Sequence, residues 1–85
     1  MKVALTKRAE KDLAKLSFKL RKRFFDKFAE LENHPDPISS AKRIIRCPHG
    51  TYRFRVADKY RIIFRIKNGK IVVGRIGPRD KIYKL

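Results

Sequence analysis

The sequence has no tryptophan, one cysteine, one methionine and two histidines among 85 residues. A lone thiol, Cys47, closes no internal disulfide, which fits a reducing cytoplasm. Cys47, His34 and His49 have no metal-ligand spacing, so neither a zinc site nor any cofactor or other metal is expected. There is no glycine-rich phosphate loop, no Ser-His-Asp order, no repeat and no interdomain linker. Long hydrophobic runs are missing too. No segment approaches a bilayer span, and Val3-Ala4-Leu5 is too short for a secretory signal, so no membrane partner is expected.

Acidic residues are the scarcest resource. Eight Asp/Glu face 24 Lys/Arg, for a net charge of +16. Residues 1–40 hold ten basic against six acidic residues, whereas residues 41–85 hold fourteen against two, Asp58 and Asp80. The positive field belongs to the C-terminal half. Such a field attracts polyanions over long range, with a strong dependence on salt. A hydrophobic content of 42% nevertheless argues for a folded chain, read as one domain spanning 1–85.

What is present falls into two patterns. Lys2 to Leu5 reads as a short strand and Thr6 as an N-cap. Ala9, Leu13, Leu16, Leu20, Phe24, Phe28 and Leu31 then recur at spacings of three and four, an apolar helical stripe. Ser17 divides it into helices over 7–16 and 18–33, an antiparallel hairpin; one unbroken helix is the alternative. Asn33-His34-Pro35-Asp36-Pro37 ends the second helix. A polar connector, 38–50, leads to alternating runs over 51–57, 60–66 and 70–76. Asp58-Lys59 marks the first turn and Asn68-Gly69 the second, a strong hairpin signal. The expected fold is α+β: an N-terminal strand and two-helix hairpin packed on a C-terminal antiparallel meander.

Alternation sorts the meander into two faces. Tyr52, Phe54, Val56, Tyr60, Ile62, Phe64 and Ile66 supply an apolar side for the helices, so the aromatic members are read as packing rather than as a base-stacking platform. Arg53, Arg55, Arg61 and Arg65 point to the opposite, wet side. The third strand is apolar on both parities, and its facing stays open. Guanidinium groups are permanently charged and grip two phosphate oxygens at once, so a nucleic-acid phosphate surface is the favoured reading over a merely solvated face. The tail Gly77-Pro78-Arg79-Asp80-Lys81-Ile82-Tyr83 adds an arginine and a tyrosine. RNA carries its own nucleophile in the 2′-hydroxyl, so a protein that aligns it, neutralises the phosphorane and moves two protons can cleave the chain without a metal.

The run "YRFRV…YRIIF…GKIVVGRIGPRDKIY", with the "KDLAKL" helix and a second helix ending in "NHP", resembles the RelE/ParE superfamily of bacterial and archaeal type II toxins over nearly the whole chain. The resemblance implies a compact sheet with a helical hairpin and a toxin bound by a cognate antitoxin. It further implies a cytoplasmic protein, itself a monomer that assembles further through that antitoxin. The RelE-like branch cleaves messenger RNA in the ribosomal A site through 2′-hydroxyl attack. On that pattern Arg53, Arg55, Arg61, Arg79 and Tyr83 are the expected catalytic residues. Lys42, Arg43, Arg46, Arg65 and Arg75 are further RNA-binding candidates, and solvation explains the first three equally well. Two departures bear on mechanism. The "YRFR" arginines stand where RelE-like sites carry lysines, which assigns Arg53 and Arg55 to phosphate charge and not to proton abstraction. The turn "ADKYR" is one residue longer than the usual "GDYR", which bears on the register of Arg61. Tyr83 is the first choice of base, ahead of Asp80 and His49. The alternatives are a ParE-like inhibitor of DNA gyrase without nuclease activity, and a plain nucleic-acid-binding module.

Overall fold

The structure, a computed structural model, describes residues 1–44 and 50–82. Along the chain run β1 (Lys2–Leu5), α1 (Lys7–Ala14), α2 (Phe18–Asn33) and a 3₁₀ turn (Pro37–Ser40). Then come β2 (Lys42–Arg43), β3 (Tyr52–Val56), β4 (Tyr60–Lys67), β5 (Lys70–Pro78) and α3 (Arg79–Ile82). The α+β architecture expected from the periodicities is realised, and the helices separate at Ser17. Thr6 Oγ1 accepts from the Ala9 amide at 3.2 Å, and Ser17 Oγ accepts from the Leu20 amide at 3.3 Å. Each cap satisfies an otherwise orphaned N–H and contributes about 1 kcal/mol. The apolar stripe is the core: Ala9, Leu13, Phe24, Phe28 and Leu31 pack on Val56, Ile62, Phe64, Ile71, Val73 and Ile76.

The sheet has the order β1-β5-β4-β3-β2. The meander is antiparallel, and β1 adds parallel to β5, with Lys2 opposite Lys70 and Leu5 opposite Val73. Two elements lie beyond the sequence reading: the two-residue strand β2, drawn from the connector, and α3 in the tail. Asn68 and Gly69 both take positive φ, 52° and 72°, as a tight hairpin turn requires. The β3–β4 turn reaches the same region with Ala57 and Asp58, at φ 51° and 54°. Neither residue is glycine, so this turn stores strain.

The open question of β5 is answered by a bulge. Ile63 pairs with Arg75 but Phe64 pairs with Val73, which leaves Gly74 as an extra residue. The extra residue flips parity, so Val73 and Ile76 both face the helices while Arg75 faces away. Thr6 holds the bulge: its amide donates to the Val73 carbonyl at 3.0 Å, and its hydroxyl donates to the Gly74 carbonyl at 3.2 Å. One residue therefore caps α1 and pins β5. Gly50 marks another close approach, since a Cβ there would stand 2.6 Å from the Phe64 carbonyl oxygen.

Candidate phosphate-binding site

Cross-strand partners share a face, so the register assembles the site directly. Lys42 pairs with Arg53, Arg53 with Ile63, and Ile63 with Arg75; in the next row Arg55 pairs with Arg61, and Arg61 with Gly77. These residues occupy the side opposite the helices, as the alternation implied for Arg53, Arg55 and Arg61. At the β2–β3 end, Lys42, Arg53, Arg55 and Arg61 line one cavity of about 180 Å³ among the described residues. Arg55 is exposed and Arg53 half-buried.

Arg61 is the deepest of the four, at 5% exposure. Its Nη1 donates to the carbonyl of Asp58 at 2.7 Å and to that of Tyr60 at 2.9 Å. The longer turn thus does not displace Arg61. It supplies a carbonyl that steers the guanidinium, and the positive φ of Asp58 is part of that geometry. Placing Arg55 and Arg61 directly opposite each other concentrates like charge, which is costly in the empty protein and useful to one that binds an anion.

The face is not wet throughout, as the sequence reading had it. Near β5 it is closed: Ile63 is fully buried, and Ile82 of α3 lies over Gly77, 3.9 Å from where a Cβ would stand. Arg75 lies under this cover at 8% exposure. Its Nε donates to Asp12 Oδ2 at 2.7 Å, in a buried ion pair with α1. The expectation that Arg75 presents its charge to nucleic acid is corrected on that ground, because its guanidinium turns to a carboxylate within the fold. Asp12 Oδ2 also accepts from the Ile76 amide at 3.0 Å. A sequence signal for this pair existed: Asp12 sits on the same helical face as Ala9, Leu13 and Leu16, and a carboxylate on an apolar stripe needs a partner.

The remaining candidates scatter. Arg65 is exposed on the side of the arginine cavity but does not line it, and Arg43 pairs with Tyr52, which puts it on the opposite side from Lys42. Arg79 begins α3; its amide donates to the Lys59 carbonyl at 2.7 Å, and its exposed Nε lies 3.8 Å from Asp80 Oδ1. It lines a second cavity, of about 510 Å³, with Asp58, Lys59, Tyr60 and Asp80. The β3–β4 turn therefore stands between the two: it holds Arg61 through a carbonyl and borders the cavity of Arg79. Tyr83, Arg46, Cys47 and His49 lie outside the described residues. Among the described residues no group of three or more His, Cys, Asp or Glu is arranged to hold a metal, and no helix is long and apolar enough to cross a membrane.

Comparison with known proteins fits this geometry to a family. The model of the ParE toxins, which belong to the parDE type II toxin–antitoxin systems, matches residues 3–83. The chain is a member of that family. The toxin therefore sits within the RelE/ParE superfamily. Its fold is similar to a chain in the toxin–antitoxin complex RelBE2 from Mycobacterium tuberculosis. The TM-score is 0.76 at 26% identity, covering 92% of the toxin and 96% of that chain. It is also similar to a chain in the intact Escherichia coli RelBE toxin–antitoxin complex, with a TM-score of 0.69 at 19% identity over 91% and 94% of the two chains. That likeness speaks to fold alone. No curated protein matches the toxin's sequence.

Proposed function

We propose that this toxin is a ribosome-dependent endoribonuclease that cleaves messenger RNA without a metal. The observation that carries the reading is the cavity in which Lys42, Arg53, Arg55 and Arg61 converge from three strands, with Arg61 buried and held by two backbone carbonyls. A preorganised guanidinium stabilises charge that develops on a phosphorane and costs no reorganisation during reaction. In the proposed step the 2′-hydroxyl oxygen bonds to phosphorus and the bond from phosphorus to the 5′-oxygen breaks. A cyclic phosphate remains on one fragment and a hydroxyl on the other. The 2′ proton passes to a base and a proton is delivered to the leaving 5′-oxygen. Arginines bind and neutralise but do not take the proton; that role is assigned to Tyr83. Arg79 approaches from the far side of the β3–β4 turn.

The neighbours of similar fold come from toxin–antitoxin complexes, which supports a cognate antitoxin as partner. The proposal adds a toxin that is monomeric on its own and acts in the cytoplasm at the ribosome. A translation reaction with mapping of message ends tests the proposal: cuts within codons on ribosomes are expected, and intact message at translation-blocking concentrations overturns it. The family match itself favours a second reading, inhibition of DNA gyrase. Loss of supercoiling activity with uncut message would select that one.

A further inference from the structure

Helix α2 carries its charge in reverse. Its first half, residues 18–25, holds Lys19, Arg21, Lys22 and Arg23 with no acid, and its second half holds Asp26, Glu30 and Glu32 against Lys27. A helix N-terminus bears partial positive charge, so four cations there oppose the macrodipole and one another. None of the four takes part in a salt bridge among the described residues. Two aromatic rings are left outside at the same end: Phe18 is 76% exposed and Phe25 54%. Phe18, Arg21, Lys22 and Phe25 line one groove of about 450 Å³. The two rings stand two turns apart, about 10 Å along the axis, with the two cations between them. Phe25 is braced from behind by the buried ring of Phe28, edge to face with centroids 6.1 Å apart. Neither helix stability nor the core accounts for this end of α2.

We propose that this end of α2 is a docking surface for an unpaired strand of RNA. One base stacks on Phe18 and another on Phe25, and the phosphates between them meet Arg21 and Lys22. Aromatic rings interleaved with cations suit an unpaired strand, because every base has a flat face and every linkage a negative charge. The reversed charge of the helix selects this occupant. An anionic bilayer lying along α2 would meet Asp26, Glu30 and Glu32, and a second copy would bring another +16 to a cationic groove. A strand crossing the first two turns meets cations alone. The surface lies on the helix side of the sheet, opposite the arginine cavity, and shares no lining residue with it. The inference deepens the RNA-directed function proposed above, giving the toxin a second hold on the same class of polymer. It rests on that reading for the choice of RNA over DNA.

The test titrates isotopically labelled full-length toxin with a short 2′-O-methyl RNA of unpaired, mixed sequence, which has no free 2′-hydroxyl to react. Amide shifts over residues 18–25 and upfield shifts of the Phe18 and Phe25 ring protons are expected, read separately from those of Arg53 and Arg55. Phe18→Leu/Phe25→Leu keeps an apolar surface but removes the stacking. It should weaken binding at α2 at least about tenfold while the urea midpoint stays nearly unchanged. Four outcomes overturn the proposal: shifts confined to the arginine cavity; unchanged affinity at α2 in the double variant; equal α2 shifts from an RNA duplex, a polyglutamate peptide or phosphatidylglycerol vesicles; or the same shifts on raising the toxin concentration alone. The nuclease reading is judged separately. Uncut message with the α2 shifts present would overturn that reading alone, and cut message with no α2 shifts would overturn this one alone.

Discussion

Asp12→Ala removes the carboxylate that holds the buried Arg75 guanidinium. Two bonds end on Asp12 Oδ2, from Arg75 Nε at 2.7 Å and from the Ile76 amide at 3.0 Å, and both charged residues are 8% exposed. Removing one member of a buried ion pair costs about 3–5 kcal/mol, because the charge that stays behind has neither water nor partner. The stranded Ile76 N–H is part of the same loss and is not added to it. For a chain of this length total stability is roughly 4–13 kcal/mol. The variant should therefore forfeit about a quarter of its stability at the least, and in the unfavourable case most or all of it. With a urea slope of about 1–1.5 kcal/mol per molar, the midpoint falls by roughly 2–5 M, read by circular dichroism. Asp12→Asn keeps an acceptor for the amide but not the charge, and should fall between. The pair Asp12→Leu/Arg75→Met replaces both partners by apolar groups and should recover most of the loss. A shift below about 1 kcal/mol for Asp12→Ala would refute the reasoning, since it would mean that Arg75 reaches water or another acceptor at no cost.

Three other outcomes are expected. Arg61→Ala should lower single-turnover message cleavage by about 10²–10³-fold, the loss typical of one preorganised donor, while the urea midpoint moves far less than for Asp12→Ala. Binding of single-stranded RNA should weaken with salt at a log–log slope of about −3 if the four cations of the cavity each meet a phosphate, and Arg55→Ala should reduce the slope by about 0.7; filter binding across salt concentrations measures both. Ala57→Gly should raise stability by about 1 kcal/mol in thermal or urea unfolding, because Ala57 sits at φ 51° where a Cβ is strained.

The helical stripe, the break at Ser17 and the Asn-Gly turn were legible because each is set by local periodicity or a single capping residue. Likewise the common side of Arg53, Arg55 and Arg61 follows from strict alternation along two uninterrupted strands. β5 was not legible, since a bulge is one uncounted residue and one residue inverts every side chain beyond it. Neither was the cover over Ile63, because α3 is a single turn whose placement depends on packing by Ile82 and on no pattern of its own. Arg75 was misplaced because its partner, Asp12, lies 63 positions earlier in the chain, out of reach of any local pattern. A charge count treats all arginines alike, whereas burial makes Arg75 an architectural residue and leaves Arg55 to meet whatever arrives.

Thr6 fastens to Gly74 and Lys2 is matched to Lys70, so β1 and β5 meet across 68 positions of the chain. A nascent polypeptide still threading out of the ribosome has nothing to lay its opening strand against, and such long-range closure is slow to form. The β1–β5 pairing therefore forms only after both strands have been made. Loss of β1 would strip a flank from β5 and leave a sticky margin.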